Sequence, residues 1–472
     1  MTKRPLWSGL ALVGALRARA SGGLAREAAG VSIDTRTLQP GDLFIAIKGE
    51  TRDGHDFVRM AFEKGAAAAV IDEAHAAEFS GAGPLFVVKD VQQSLESLGA
   101  RARERSAAFI AAVTGSVGKT STKDMIRLML SRFGETHAST ASYNNHWGVP
   151  LTLARMPAES RFGVFELGMN HAGEIAALVA QVRPHVAVVT RIAPVHLEYF
   201  GSIEKIADAK AEIFSALDGG VAIINRDDGF YERLAAAAAP TASHVFGFGE
   251  TEGAHARLLS YEPAGEGALV EAEILERRLR FRIGAPGKHI AMNALAALLV
   301  GVVFDVDLEE AAAAFSEFTP PSGRGQREKI ATPEGAFTLI DESYNANPTS
   351  MRAALQLLGG AATGPGGRRI AVLGDMLELG PQAAELHAEL APDLIDANVD
   401  LLFTSGPLMS RLSYAAPDSM RAAHRATPLE LEEAVLAAVR AGDVVMVKGS
   451  NGSRMARIVS ALKSAFAPEK AS

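Results

Sequence analysis

The stretch Phe109-Ile110-Ala111-Ala112-Val113-Thr114-Gly115-Ser116-Val117-Gly118-Lys119-Thr120-Ser121-Thr122 decides how the rest of this chain is read. Its first five residues are an apolar run that predicts a buried β-strand over 109–113. A glycine-punctuated turn follows, then a helix-competent run over 120–130. Strand, glycine-rich turn and helix, in that order, give a phosphate-binding loop its structural context. Gly115 and Gly118 let the backbone take positive φ and approach an anion with no Cβ in the way. From Gly115 through Ser116, Val117 and Gly118 into Lys119, Thr120 and Ser121, the N–H groups are presented to a phosphate, aided by the helix dipole. Lys119 adds a point charge for β/γ-phosphates, and the Thr120 hydroxyl is placed to ligate Mg²⁺. The longer motif G-x-x-x-x-G-K-[ST] would put glycine at 113. This chain has Val113, which leaves the shorter G-x-x-G-K-T.

The whole chain has 472 residues, enough for two to four domains, with 48% hydrophobic and 22% charged residues. A formal net charge of −8 and the lack of a Lys/Arg tract argue against a nucleic-acid partner. With no cysteine there is no disulfide, thiolate zinc site or cysteine nucleophile. The apolar stretch 10–16 is too short to span a bilayer and is followed by Arg17 and Arg19, so it is read as the first helix of a domain. The expected location is the cytoplasm, with no membrane insertion.

Outward from the loop, the chain reads as three α/β domains, residues 1–105, 106–318 and 319–472. The first has strands at 42–47, 67–71 and 85–88, with a helix at 58–64. The second alternates strands at 162–167, 186–192 and 221–225 with helices, the pattern of a mainly parallel sheet covered on both faces. Residues 242–283 change to short alternating strands, which predicts an antiparallel patch, and a long Ala/Leu-rich helix follows at 291–303. The linker Thr319-Pro320-Pro321-Ser322-Gly323 breaks the pattern. Beyond it, strands at 337–340, 370–373, 401–403 and 444–447 predict a doubly wound, Rossmann-like unit without the G-x-G-x-x-G fingerprint.

Several polar residues fall at strand ends, where open parallel sheets bind ligands. Glu166 ends an apolar strand, and a carboxylate there is costly unless it is salt-bridged or metal-bound. His196 lies just past the strand at 186–192, on the edge of the phosphate loop. Lys210 falls on the apolar stripe Ile203, Ile206, Ala207, Ile213, Phe214 and Leu217 of a helix predicted over 202–217. There it either snorkels to water or loses its charge by desolvation, and a neutral amine can capture CO₂ as a carbamate. Ser32, Asp34, Arg36 and Lys48, with Glu50 nearby, suit a sugar nucleotide or a solvated loop equally. Asn144 and Asn145, in Tyr143-Asn144-Asn145-His146-Trp147-Gly148, pack amides and aromatics as a polar-ligand loop does. In Asp341-Glu342-Ser343-Tyr344-Asn345-Ala346-Asn347-Pro348, helix capping accounts for Asn347 and Pro348 but not for Asp341, Tyr344 or Asn345. Gly374-Asp375-Met376-Leu377-Glu378-Leu379-Gly380 and Lys448-Gly449-Ser450 close two further strands, so polar groups converge on one edge.

At these residues the chain resembles the Mur ligases of bacterial cell-wall synthesis, over essentially its whole length. Thr114 to Thr122, Asn144-Asn145, Glu166-Leu167-Gly168-Met169-Asn170-His171, His196-Leu197-Glu198, Lys210-Ala211-Glu212-Ile213 and Asp341 to Pro348 match the branch that adds D-alanyl-D-alanine. An Asp-Asn-Pro-Arg stretch, which the diaminopimelate-adding members carry, is absent. Folylpolyglutamate synthases, similar in the later domains, lack the domain ahead of the loop. Ile290 stands where members often carry asparagine.

The resemblance implies a monomer that uses ATP and two Mg²⁺ ions to join D-alanyl-D-alanine to UDP-N-acetylmuramoyl-tripeptide through an acyl phosphate. It implies that Thr120 and Glu166 hold one Mg²⁺, His196 and a carbamylated Lys210 a second, and that Lys119 stabilises the transferring phosphoryl group. It further implies that Asn293, Arg324 and Asp341 contact ATP, that Ser32, Asp34, Arg36 and Lys48 face UDP, and that the domains close across 319–323. The nearest alternative is a sister Mur-type or folylpolyglutamate-type ligase. A P-loop switch or motor ATPase lacks support, because Glu166 sits alone and no apolar run ending in a Walker-B-type Asp-Glu pair leads into a motor core. A non-catalytic nucleotide-binding module would not be expected to retain Lys119, Thr120, Glu166, His196 and Lys210 together.

Overall fold

The computed structural model describes residues 5–23, 25, 27–49, 51–140 and 142–466; Glu50 lies outside them. Three large sheets, of nine, six and five strands, organise three α/β domains, and a two-stranded pair, Trp7–Ser8 with Glu27–Ala28, accompanies them. The central one has nine strands in the order Thr136–Ala138, Phe162–Glu166, Phe109–Thr114, Val186–Val189, Val221–Asn225, His244–Gly249, Ala256–Ala264, Gly267–Ile274 and Arg277–Ile283. All neighbours through Ala256–Ala264 are parallel, and only the last two pairings are antiparallel. The antiparallel patch therefore begins later than the sequence pattern predicts. His244–Gly249 is fed by the helix Tyr231–Ala238, and a strand–helix–strand crossover returns parallel.

Phe109–Thr114 sits where the strand order reverses, between Phe162–Glu166 and Val186–Val189. Successive side chains point to opposite faces. Ala111 and Val113 pack with Met125, Ile126 and Met129 of the helix Lys119–Leu130 and with Leu295, Leu298 and Leu299 of the helix Lys288–Val303. Ile110 and Ala112 pack with Val149, Ile175, Val179, Ile206 and Phe214 on the other face. Fully burying each leucine contributes about 1.5–3 kcal/mol, so the loop's supporting strand is fixed from both sides. Ile290 is buried in the first of these clusters and contributes apolar contact.

The helix predicted over 202–217 ends at Ala211 and tightens into a 3₁₀ segment, Glu212–Ala216. The Glu212 carboxylate accepts from the Gly173 and Ala176 N–H groups at 2.7 and 3.0 Å, closing the start of the helix Glu174–Val182.

The first domain has five strands in the order Arg19–Ser21, Leu85–Val88, Ala68–Asp72, Asp42–Ile45 and Gly30–Ser32. Beside it, His55 Nδ1 donates to Asp53 at 2.7 Å, while its Nε2 accepts from the Asp72 N–H at 3.2 Å. Both ring nitrogens are used, and the ring stacks on His75 at 3.9 Å. That satisfies a buried histidine and leaves it no free lone pair for a metal ion.

The third domain has six strands, Gln326–Thr332, Gly335–Glu342, Val444–Lys448, Arg369–Gly374, Leu401–Ser405 and Arg421–Arg425. The edge strands Gln326–Thr332 and Arg421–Arg425 were not expected from the sequence. Asp443, almost wholly buried, joins two segments ahead of Val444–Lys448 by accepting from the N–H groups of Arg368 and Arg440 and from the Arg368 guanidinium, at 2.8–3.0 Å. Asp443→Ala strands these donors and is expected to destabilise this domain by about 2–3 kcal/mol. Faster hydrogen exchange along Val444–Lys448 would report the loss. Among the described residues no helix is long and apolar enough to cross a membrane.

Candidate active site

The parallel register places the chemistry. Glu166 pairs with Val113 and Val189 with Thr114, so the phosphate loop, Glu166 and Thr190 emerge together at one sheet edge. The loop turns on Gly115 at φ 151° and Gly118 at φ 84°. The helix Lys119–Leu130 begins without a side-chain cap, leaving its first N–H groups to an anion. Ser116 and Thr190 tie the loop down from behind. The Ser116 hydroxyl donates to the Ala193 carbonyl at 3.0 Å, and Thr190 Oγ1 donates to the Val117 carbonyl at 2.6 Å.

A Cβ on Gly115 would stand 1.9 Å from Thr190 Oγ1. Gly115→Ala must therefore displace the group that holds Val117. It is expected to weaken nucleotide binding by about tenfold or more, a loss of at least about 1.4 kcal/mol, measurable by titration calorimetry. A Cβ on Gly118 would meet Asn293 Oδ1 at 2.9 Å, so Asn293 closes over the loop.

Glu166 is fully buried. One oxygen accepts from Thr120 Oγ1 at 2.7 Å and the other from Asn144 Nδ2 at 2.8 Å. The salt bridge that the sequence left open is not formed among the described residues; its partners are neutral. Lys119 Nζ donates to the Gly115 carbonyl at 2.7 Å. Desolvation pushes its amine below the ordinary lysine range, Glu166 opposes that, and Arg324 adds to it. Ser121 is buried behind the loop in the same helix.

Lys210 does not snorkel. It is 2% exposed, with no hydrogen bond or ion pair among the described residues. Desolvation, then nearby Lys119, push its amine well below the ordinary range. His196 stands in the left-handed region at φ 54°. Its Nδ1 bonds the Glu378 carboxylate of the third domain. Desolvation pushes the imidazole down and Glu378 pulls it up, while Lys210 and Lys119 add to the downward shift, so all three side chains share one field.

The third domain contributes Arg324, whose Nη2 donates to Ser142 Oγ at 3.1 Å and whose guanidinium lies 4.2 Å from the Tyr344 ring centre. The Asp341 carboxylate is engaged by its own loop, accepting from the Gly323 and Ser343 N–H groups and the Ser343 hydroxyl. Asn345 folds its side chain onto the Ala346 N–H, and its carbonyl accepts from Lys448 Nζ. Asn145 caps the turn into the helix Gly148–Ala154 rather than facing Glu166.

Ser32, Asp34 and Arg36 lie together in the first domain, Arg36 folded onto the Asp34 carboxylate and largely exposed. Lys48 is exposed beside its bridge to Asp53. Among the described residues no hydrogen bond joins this group to the phosphate loop. The connection runs instead through the segment holding Tyr143, Asn144 and Trp147. Asn144 reaches Glu166, a Cβ on Gly49 would lie 3.5 Å from the Trp147 ring, and Arg155 Nε donates to the Val31 carbonyl. Sequence reading did not assign Glu378, Ser142 or Thr190. Only Glu378 carried a signal, as a carboxylate in a polar stretch closing a strand.

Fold and site together define a phosphate-loop protein of three α/β domains, with a buried carboxylate at the loop and a third domain reaching into the same edge. The chain belongs to the Mur ligase family. The family description "Mur ligase family, catalytic domain" matches residues 27–124, "Mur ligase middle domain" residues 113–301, and "Mur ligase, glutamate ligase domain" residues 323–451. A relative from Escherichia coli named UDP-N-acetylmuramoyl-tripeptide--D-alanyl-D-alanine ligase is 34% identical over 441 residues, covering 92% of this chain and 93% of its own. One of the same name from Rickettsia prowazekii is 32% identical over 431 residues, covering 91% and 94%. A crystal structure of MurF from Acinetobacter baumannii superposes with TM-score 0.82 at 30% identity, covering 97% of this chain and 99% of that one.

Proposed function

We propose that this chain joins D-alanyl-D-alanine to the terminal carboxylate of UDP-N-acetylmuramoyl-tripeptide, with ATP converted to ADP and phosphate. The observation that carries the reading is Glu166: fully buried, in no ion pair among the described residues, and hydrogen-bonded by the Thr120 hydroxyl of a phosphate loop. Whole-length relatives of that name supply the substrates. A carboxylate is a poor electrophile, so ATP first phosphorylates it to an acyl phosphate. The dipeptide amine then attacks the acyl carbon, and phosphate leaves as the amide forms. Bringing a polyanion against a carboxylate makes charge neutralisation the main task of the site.

The donor set fits magnesium. Thr120 and Glu166 offer hard oxygens held in place by Asn144 and would hold one ion. His196 and a carbamylated Lys210 would hold a second, the carbamate turning a buried amine with no anionic partner into an anionic oxygen ligand. Bound metal supplies Lewis-acid neutralisation of the phosphate oxygens. Lys119 sits over the loop for the transferring phosphoryl group. Asn293 closes on the nucleotide, and Arg324 approaches from the third domain, with Asp341 bracing its segment.

Ser32, Asp34, Arg36 and Lys48 bind the UDP end, and the loops that carry Asn144, Asn145, Tyr344 and Asn345 form the rest of the substrate site. In this reading residues 1–105 hold the UDP-substrate, 106–318 bind ATP, and 319–472 complete the ligase site. The reaction takes place in the cytoplasm, where ATP is.

The deciding experiment measures phosphate release from ATP with the nucleotide substrate and the dipeptide, omitting each in turn. Release requiring both, with a product heavier by the dipeptide, is expected. Release with a single amino acid in place of the dipeptide would make the chain a sister ligase.

A further inference from the structure

Glu378 is carried on a stiff mount. Asp375 accepts from the Met409 N–H at 2.7 Å, the Met376 N–H reaches His387 Nε2 at 2.9 Å, and the Leu377 N–H reaches Ser450 Oγ at 3.0 Å. The three residues ahead of Glu378 are thus pinned inside the third domain, and Glu378 moves only as that domain moves. Its carboxylate bonds His196 of the central domain and, among the described residues, no other charged partner. Its carbonyl accepts from the Glu198 N–H at 3.2 Å, so backbone and side chain grip the same turn. Both ends of the contact hold positive φ without glycine, 54° at His196 and 62° at Glu378, a conformation kept where the surroundings over-determine it.

A carboxylate on Nδ1–H fixes the tautomer that leaves the Nε2 lone pair outward, the arrangement that orients metal-facing histidines. We infer that Glu378 is a positioning residue for His196, supplied from across the domain interface, so that the imidazole is set only when the third domain closes. The inference rests on the reading of His196 as metal-facing given above.

Because Glu378 acts through His196, the two residues must couple. Glu378→Ala is expected to lower kcat about 10–100-fold, with KM for each substrate little changed. In a His196→Ala background the same substitution should add nothing. Glu378→Gln, whose amide oxygen still accepts from Nδ1–H, should retain more activity than Glu378→Ala.

A second readout needs no turnover. With ¹⁵N-histidine in the full chain and ADP and magnesium present, the His196 ring signals, assigned among 12 histidines by their loss in His196→Ala, should report Nδ1–H. They should shift toward Nε2–H in Glu378→Ala. Additive kinetic effects, or a His196 tautomer indifferent to Glu378, would overturn the inference. A wild-type chain inactive on the proposed substrates would instead defeat the ligase reading, leaving the tautomer measurement to judge Glu378 by itself.

Discussion

Lys119→Met is expected to lower kcat about 10²–10³-fold while the chain remains folded. Methionine keeps most of the volume of the lysine stem and removes the charge, so the change isolates electrostatics from packing. Among the described residues the Lys119 amine bonds only the Gly115 carbonyl of its own loop. It braces nothing else, and its removal should not unfold the domain. Glu166 favours its charge, while desolvation and Arg324 oppose it. The field there is already contested before an anion arrives, and a triphosphate would tip it toward the protonated amine. The loss should therefore fall mainly on kcat, where charge builds on the transferring phosphoryl group, and less on KM for the UDP-substrate, whose UDP end is proposed to bind in another domain. Steady-state ADP formation, with near-ultraviolet circular dichroism as the check on folding, measures both. An unchanged kcat would remove Lys119 from the chemistry and leave it a loop brace.

Much of this site was legible because its signals are local. A strand, a glycine turn and a helix occupy the consecutive residues 109–130, and periodicity alone sets Lys210 on a buried stripe. Glu166 was legible as an anomaly, a carboxylate at the end of an apolar strand. Its actual partners were not, since Thr120 and Asn144 lie 46 and 22 residues away. Contacts between domains left even less trace. His196 meets Glu378, and Arg324 meets Ser142, each across 182 residues. No hydrophobic period encodes such a meeting; it follows from how two finished domains rest on each other. The missed strands fail for a different reason. Gln326–Thr332 and Arg421–Arg425 are only partly buried sheet edges rich in charge, so burial does not impose the two-residue alternation by which strands are recognised.

Lys210→Ala is expected to abolish turnover to below about one-thousandth of the wild-type rate, if a carbamate supplies a metal-binding oxygen. Short-chain carboxylic acids should restore part of it. The reasoning starts from burial. A lysine side chain at 2% exposure with no hydrogen bond or ion pair among the described residues is costly to keep charged, and desolvation with Lys119 nearby favours its neutral form. A neutral amine attacks CO₂, losing a proton and gaining a carboxylate. The product would be an anion, placed where the field of Lys119 disfavours a second cation. Alanine leaves a cavity the size of the lost side chain, and a small acid can occupy it with its oxygens where the carbamate's would be. Rescue that rises with acid concentration and falls as the acid grows bulkier would identify the missing group as a carboxylate. Mass spectrometry of the intact chain at neutral pH should show one added CO₂, lost on acidification, in the wild type and not in Lys210→Ala. If bicarbonate and acids restore nothing and the mass is unmodified, Lys210 acts as an amine, and the second metal ion would have to be held without it.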